Sequence, residues 1–273
     1  RFGFGSGGGG GPTGPTGPSA GTLAATGGSV YTSGDYKLHV FRSDNTPENF
    51  VVTNAEADAT VEIMMIGGGG SGGPDQGSGG GAGGLVWTNN GGIVISDGTY
   101  PVAVPGASAD DAPGPGNPSN ARGGDVLFNF GGSGIVLAAK GGGFGGYFPP
   151  YAANVEYRSG GCGGGMGNMP GSAAHPDYGY APYGPGGAPG YQPTTPQTFP
   201  NAANTATVLS QGFPGGGADT VAVTDPSGSG GGGGGAGERG YAGASHSGVS
   251  PSELWGKGGN GYQVAAPFLD PFK

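Results

Sequence analysis

The sequence predicts a mainly β protein: a β-sandwich-like framework joined to a bundle of extended polyglycine-II-type helices, with almost no α-helix. Three observations predict it. Gly accounts for 72 of the 273 residues and comes in runs, as in Gly67-Gly68-Gly69-Gly70 and residues 230–235. Apolar and polar residues alternate in several short segments, which is the period of a half-buried strand. At Ile66–Gly67 and Lys140–Gly141 such a strand runs directly into a Gly run.

A Gly run has no side chain to bury and loses the most backbone entropy on ordering. It is either disordered or held by backbone hydrogen bonds between close-packed extended segments. The 72 Gly and 25 Pro together exceed a third of the chain, a composition usual in disorder. Charged residues are only 10%, however, and aromatics are 10%, with 12 Tyr and 12 Phe. A solvated disordered chain normally carries more charge and fewer rings, so order is the expectation. In the left-handed three-residue helix available to Gly, amides point outward. Without Cβ atoms, neighbouring helices approach closely enough to bond N–H to C=O.

Residues 1–26 read as a collagen-like stalk or linker. Gly5, Gly8, Gly11, Gly14 and Gly17 keep a strict Gly-X-Y phase, ending in Gly-Pro-Thr, Gly-Pro-Thr and Gly-Pro-Ser before Ala20 breaks it. Three such chains can wind together because only Gly fits the crowded axis. So short a run needs a trimeric neighbour to hold it, and a flexible linker is the other reading. A chain that begins at Arg1 reads as a fragment or a processed product.

Residues 27–146 read as a β-rich glycine-rich domain. Tyr36, Leu38 and Val40 alternate with Lys37, His39 and Phe41. After the turn cluster Ser43 to Pro47 comes a second strand, Phe50 to Thr53. Val61, Ile63 and Met65 alternate in a third strand that ends at Gly67. Leu85-Val86-Trp87 follows the first Gly block. Ile93 to Ile95 and Thr99 to Val104 flank Ser96-Asp97-Gly98, which predicts a hairpin. Val126, Phe128 and Phe130 alternate in another strand, and Ile135 to Leu137 begin the strand that leads to Gly141. Residues 147–273 read as Gly/Pro/Tyr-rich loops and further polyglycine segments packed on the same body. No stretch shows capped helical periodicity.

The net charge of −9, with no Lys/Arg cluster, disfavours nucleic acid as a partner. No apolar run approaches ~18 residues, so membrane insertion by a helix is not expected. Cys162 is the one Cys, which leaves no intrachain disulfide. His39, His175 and His246 show no paired spacing, and His39 reads as a surface or partner-packed His. Asp110-Asp111 read as a solvated loop more readily than as a Ca²⁺ site. Gly256-Lys257 is followed by Gly258, not by the Ser or Thr of a phosphate loop. No catalytic residues, metal or cofactor are expected, and no enzyme.

Candidate binding residues are aromatic. Tyr178, Tyr180, Tyr183 and Tyr191 lie among Pro and Gly, and Tyr147, Phe148 and Tyr151 form a second such loop. Rings of this kind grip sugars or protein surfaces at low entropic cost. The other reading is that they cover the glycine bundle. The apolar end, Phe268 to Phe272, could pack on a neighbouring subunit or begin a further module.

The residues Tyr36 to Phe41, Val61 to Ile66 leading into Gly67–Gly70, Gly79 to Trp87, Asp97 to Ala107 and Leu137 to Gly143 together resemble the glycine-rich domain of phage tail fibres and other virion appendage proteins. The match runs through 27–146 and continues by Gly spacing over 228–261. Short Gly-Pro-Thr segments likewise look like those linking fibre modules. The resemblance implies a structural virion protein, a tail or capsid fibre outside the host cell. It implies a homotrimer that binds other virion proteins and grips a host-surface glycan or protein through the Tyr/Pro loops. The alternative is a self-assembling extracellular filament or surface-coat subunit packed through its Gly runs. An enzymatic depolymerase ranks third, since it would want paired carboxylates.

Overall fold

The computed structural model describes residues 23–33, 36–43, 48–56, 59–73, 77–89, 93–105, 122–130, 136–146, 160–165, 207–208, 212–217, 230–243 and 256–262. Among them there is no helix, and every strand pairing is antiparallel. The protein is mainly β, with a polyglycine bundle built onto its sheets.

The strands are β1 (Leu23–Thr26), β2 (Ser29–Ser33), β3 (Tyr36–Val40), β4 (Glu48–Ala55), β5 (Thr60–Val61), β6 (Met64–Ile66), β7 (Leu85–Asn89), β8 (Ile93–Val94), β9 (Gly98–Ala103), β10 (Val126–Asn129), β11 (Val136–Ala139) and β12 (Thr207–Val208). A five-stranded sheet has the order β1-β4-β9-β10-β11, and a three-stranded sheet the order β12-β7-β6. The β2–β3 hairpin and the β5–β8 pair complete the framework. β1 falls inside the segment read as a leading stalk or linker. Its four residues pair with β4, with a bulge between Ala24 and Ala25.

Alternation puts one face of β4, β9, β10 and β11 into a common core. Phe50, Val52, Tyr100, Val102, Val126, Phe128, Leu137 and Ala139 of the larger sheet pack with Met65, Val86, Ile93 and Ile95. Leu137 and Ile93 are fully buried, each worth about 1.5–3 kcal/mol relative to exposure. Phe50, Tyr100, Phe128 and Phe130 form a row of rings, with Tyr100 stacked on Phe128 at 5.8 Å. The His39 and Phe50 rings meet nearly at right angles with centroids 5.1 Å apart, and His39 Nδ1 is 2.8 Å from the Gly27 carbonyl oxygen. His39 is therefore a packing residue that ties the β2–β3 hairpin to the sheet. The ladder between β9 and β10 covers Val102 and Ala103 and stops short of Pro101, which has no N–H to give.

Two expectations are corrected. The expected hairpin across Ser96-Asp97-Gly98 does not form: β8 pairs with β5, while β9 crosses to the larger sheet between β4 and β10. The turn is a corner. The Tyr100 hydroxyl donates to Ser96 O at 2.7 Å, and Asp97 Oδ1 accepts from the Ala55 amide at 2.8 Å. These bonds bend the chain from one sheet to the other. The expected strand through Val61, Ile63 and Met65 keeps its alternation but changes partner midway, from β8 to β7. Thr88 bridges the change: its Oγ1 accepts from the Ile63 amide, and its own amide donates to Ile63 O.

The Gly runs are extended rods, numbered here in chain order: rod 1 (67–73), rod 2 (77–84), rod 3 (141–146), rod 4 (160–165), rod 5 (212–217), rod 6 (230–235), rod 7 (237–243) and rod 8 (256–262). Their bonds recur at every third residue. Gly67, Gly70 and Gly73 donate to Gly84, Gly81 and Ser78, each at 2.9 Å. Ser78, Gly81 and Gly84 donate in turn to Gly146, Gly143 and Lys140. This spacing belongs to the three-residue helix, not to a strand.

The rods inherit the register of the sheet. β6 and β7 pair Met64 with Trp87 and Ile66 with Leu85, and the next steps of the same register are Gly67–Gly84, Gly70–Gly81 and Gly73–Ser78. The period changes from two to three without a slip. At the same junction Asp125 joins strand to rod. Its Oδ2 takes the Lys140 ammonium at 2.6 Å and its Oδ1 the Gly141 amide at 2.8 Å, with Arg122 at 3.8 Å.

Candidate functional site

The bundle is a hexagonal array. Rod 6 bonds to rods 2, 4, 5, 7 and 8; rod 2 bonds to rods 1, 3, 4 and 6; rod 3 bonds to rods 1, 2 and 4 and to the two-residue segment 123–124. These neighbour relations place rods 5, 4, 3 and segment 123–124 in one row, and rods 7, 6, 2 and 1 in a second row beneath it. Rod 8 lies under rods 7 and 6 as the start of a third row, since Tyr241 donates to Lys257 O and Gly259 donates to Gly233 O.

Space, not backbone strain, makes these positions Gly. In the rods only Gly256 has a positive φ. A Cβ on Gly83 would stand 1.7 Å from Gly67 O, and one on Gly233 would stand 1.9 Å from Gly80 O. Real side chains sit where the array leaves room: Ala82 is exposed, while Phe144 and Cys162 are fully buried. Pro214 follows Phe213, whose N–H donates to rod 6. It faces a side of rod 5 on which no rod is described, so its missing N–H removes no bond between rods. The Ser78 hydroxyl donates to Gly165 O at 2.6 Å and links rod 2 to rod 4. Burial pushes the Cys162 thiol up to about 11, against a smaller opposing effect of the Phe213 amide, and its Sγ lies 3.4 Å from Gly83 O. Cys162 is a packed side chain, not a nucleophile.

Direction gives the bundle two different ends. Rod 1 leaves β6, rod 2 enters β7 and rod 3 leaves β11, so Gly67, Gly84 and Gly141 mark the end at the sheets. At the opposite, distal end lie Gly73, Gly77, Gly146 and Gly165, as the bonds Ser78–Gly146 and Gly146–Gly165 show. Rods 5 and 7 run with rods 1, 3 and 4 and end distally at Gly217 and Gly243. Rods 6 and 8 run the other way and begin distally at Gly230 and Gly256.

The aromatic candidates Tyr147, Phe148, Tyr151, Tyr178, Tyr180, Tyr183 and Tyr191 lie outside the described residues, as do the stalk residues Gly5, Gly8, Gly11, Gly14 and Gly17. His175, His246, Asp110 and Asp111 lie outside them too. What the structure adds is the point of attachment. Tyr147 follows Gly146, and the segment holding Tyr178 to Tyr191 follows Gly165, so both leave from the distal end.

One polar cluster was missed by sequence reasoning because its members are far apart in the chain. On rods 7 and 8, the Glu238 carboxylate accepts from the Tyr241 hydroxyl and from the Asn260 amide. Lys257 Nζ lies 5.9 Å from the centre of the Tyr241 ring. The hydrogen bond to Glu238 raises the Tyr241 phenol, so that proton stays on at neutral pH. The cluster pins the outermost rod to the bundle with side chains.

Sheets feeding a hexagonal bundle of three-residue glycine rods define a β framework with a polyglycine domain. The chain matches the family described as a glycine-rich domain over residues 44–268 and belongs to that family. No curated protein and no solved structure matches it.

Proposed function

We propose that the protein is a structural subunit of a virion appendage, a tail or capsid fibre. In this reading it attaches to the host surface through its Tyr/Pro-rich segments. The observation that carries the reading is the polarity of the bundle: one end is anchored in the sheets, and the other is where rods 3, 4, 5 and 7 end. A rod array bonded rod to rod at every third residue is stiff, and connecting segments that leave its distal end can vary for recognition. The Tyr-bearing segments 147–159 and 166–206 begin there. Binding would rest on shape and ring stacking, with no catalytic step and no cofactor.

The Gly-X-Y run through Gly5, Gly8, Gly11, Gly14 and Gly17 would hold three chains in parallel on the particle, bound to other virion proteins. The ligand would be a glycan or a protein of the host surface. The test is binding of the purified chain to intact bacterial cells. Tyr178→Ala, Tyr180→Ala and Tyr183→Ala together should abolish binding while leaving the melting temperature unchanged. Cell binding that survives these changes, and survives Tyr147→Ala with Tyr151→Ala as well, would overturn the assignment.

A second reading is an extracellular filament or coat subunit packed through its Gly runs. It is favoured by rod 8, most of which is exposed despite its Gly content. Long assemblies from the purified chain would favour it over a closed trimer.

A further inference from the structure

Asn260 and Gly261 stand near the end of rod 8, and both are exposed. The Asn side-chain amide is thermolabile, and its weak point is the backbone nitrogen of the following residue, which can close a ring onto the side-chain carbonyl carbon. A following Gly has no Cβ to obstruct that approach and turns freely. Here the room exists: a Cβ at Gly261 meets nothing within 4 Å. The other Asn residues among the described ones, Asn49, Asn54, Asn89 and Asn129, lie in strands and precede Phe50, Ala55, Asn90 and Phe130. Ladder bonds hold those backbones, and each next residue carries a Cβ.

Asn260 is also the residue that fixes the end of rod 8. Its Nδ2 donates to Glu238 Oε2, and its carbonyl oxygen accepts from the Gly237 amide at 2.9 Å. The other Glu238 oxygen takes the Tyr241 hydroxyl. Lys257 stands over the Tyr241 ring, and the Arg239 charge is felt at the Tyr241 phenol, but neither cation forms an ion pair with Glu238 among the described residues. The Glu238 carboxylate is therefore served by two neutral donors, and one of them is the Asn260 amide.

We propose that Asn260 is a self-modification site whose reaction unties the end of rod 8. The Gly261 nitrogen bonds to Asn260 Cγ and the Cγ–Nδ2 bond breaks. Nδ2 leaves as ammonia, taking the proton of the Gly261 amide, and a cyclic imide remains. Water then opens either C–N bond of the ring; the carbon takes the hydroxyl and the ring nitrogen the proton. In sum, an amide and a water become an acid and an ammonia, with no other reactant. Opening at Cγ leaves Asp at position 260. Its carboxylate has no proton to give at neutral pH, so a donor to Glu238 becomes a second negative charge against it. Opening at the backbone carbonyl routes the main chain through the former side chain. That adds a methylene to the rod, breaks its three-residue phase and turns the acceptor of the Gly237 amide into a free carboxylate. The bonds Tyr241 to Lys257 O, Gly256 to Ala242 O and Gly259 to Gly233 O lie upstream, so only the end of the rod is released. The step is one-way and depends neither on host binding nor on the Gly-X-Y run.

The experiment ages the full chain in mildly alkaline buffer and maps its peptides by mass. The map is read at position 260, which separates this step from Asn90-Gly91, a pair outside the described residues. Gly261→Ala is the blocked control, because its methyl group enters open space and leaves the rod intact. The parent should lose the Asn260 amide progressively, giving Asp and the methylene-extended product together. Gly261→Ala should lose it severalfold more slowly. In the aged parent, amide exchange at Gly237 should become fast, while Gly232, which donates to Tyr241 O, stays protected. An Asn260 amide that survives ageing in the parent overturns the proposal, as does equal loss in the parent and Gly261→Ala. Complete modification that leaves Gly237 protected overturns the release of the rod.

Discussion

Single glycines in one rod differ in what they can accept. A methyl group at Gly83 would overlap Gly67 O at 1.7 Å, whereas one at Gly69 has its nearest neighbour at 3.9 Å. Gly83→Ala should cost about 3 kcal/mol or more, or prevent folding, because backbone must shift on both rods. Gly69→Ala should stay within about 0.5 kcal/mol of the parent. Urea unfolding of the two variants measures the difference, and equal costs would contradict the array. Asp125 tests the junction. Burial raises its carboxyl, but the Lys140 hydrogen bond, the Gly141 amide and the charges of Lys140 and Arg122 together hold it below the usual range. A depressed folded-state value stabilises fully above the unfolded value of about 3.9 and is lost as pH falls through and below that point. The melting temperature should therefore fall more steeply toward about pH 3 in the parent than in Asp125→Asn. Parallel curves would show that the clamp contributes nothing. Cys162 offers a chemical readout: with its thiol buried and raised to about 11, a disulfide reagent should label it only on unfolding.

At the scale of elements, the two periods meet without a slip at Ile66–Gly67 and Gly84–Leu85. One extra Gly between Gly80 and Gly81 turns every donor beyond it by about 120° and breaks the rows to rods 1, 3 and 6. Three extra residues restore the phase. The single insertion should lower the melting temperature sharply and the triple insertion only slightly; the reverse order would refute a threefold rod. The strands were largely legible in the sequence because alternation reports burial directly, as at Val126 and Phe128 or Leu137 and Ala139. Partner choice was not legible. Ser96-Asp97-Gly98 has the turn chemistry of a hairpin, yet the Tyr100 hydroxyl on Ser96 and Asp97 on Ala55 make it a corner between sheets. Val61 and Met65 share one alternation, and nothing local says that their partners differ.

Across the whole molecule, the existence of a bundle followed from many Gly runs with few charges, but its arrangement did not. Rods of one residue type carry no side-chain code, so which rod lies beside which is set by strand register at one end and by packing thereafter. Side chains mark the pattern only in hindsight: Pro214 stands on a side of rod 5 where no rod is described, and the Ala82 side chain is exposed. The cluster of Glu238, Tyr241, Lys257 and Asn260 was hidden because its members come together only once backbone bonds set rods 7 and 8 side by side. The aromatic candidates were read from composition, and the fold contributes their common point of departure at the distal end.

The central claim is that the glycine runs are ordered rods bonded at every third residue. Amide hydrogen exchange resolved residue by residue, at a dilution where the chain is single, tests it most directly. The account predicts protection at Gly67, Gly70 and Gly73, at Gly81 and Gly84, and at Gly142 and Gly145, beside fast exchange at Gly69 and Gly72 in the same rod. Uniformly fast exchange along rods 1 to 3, or protection with no threefold pattern, would contradict it.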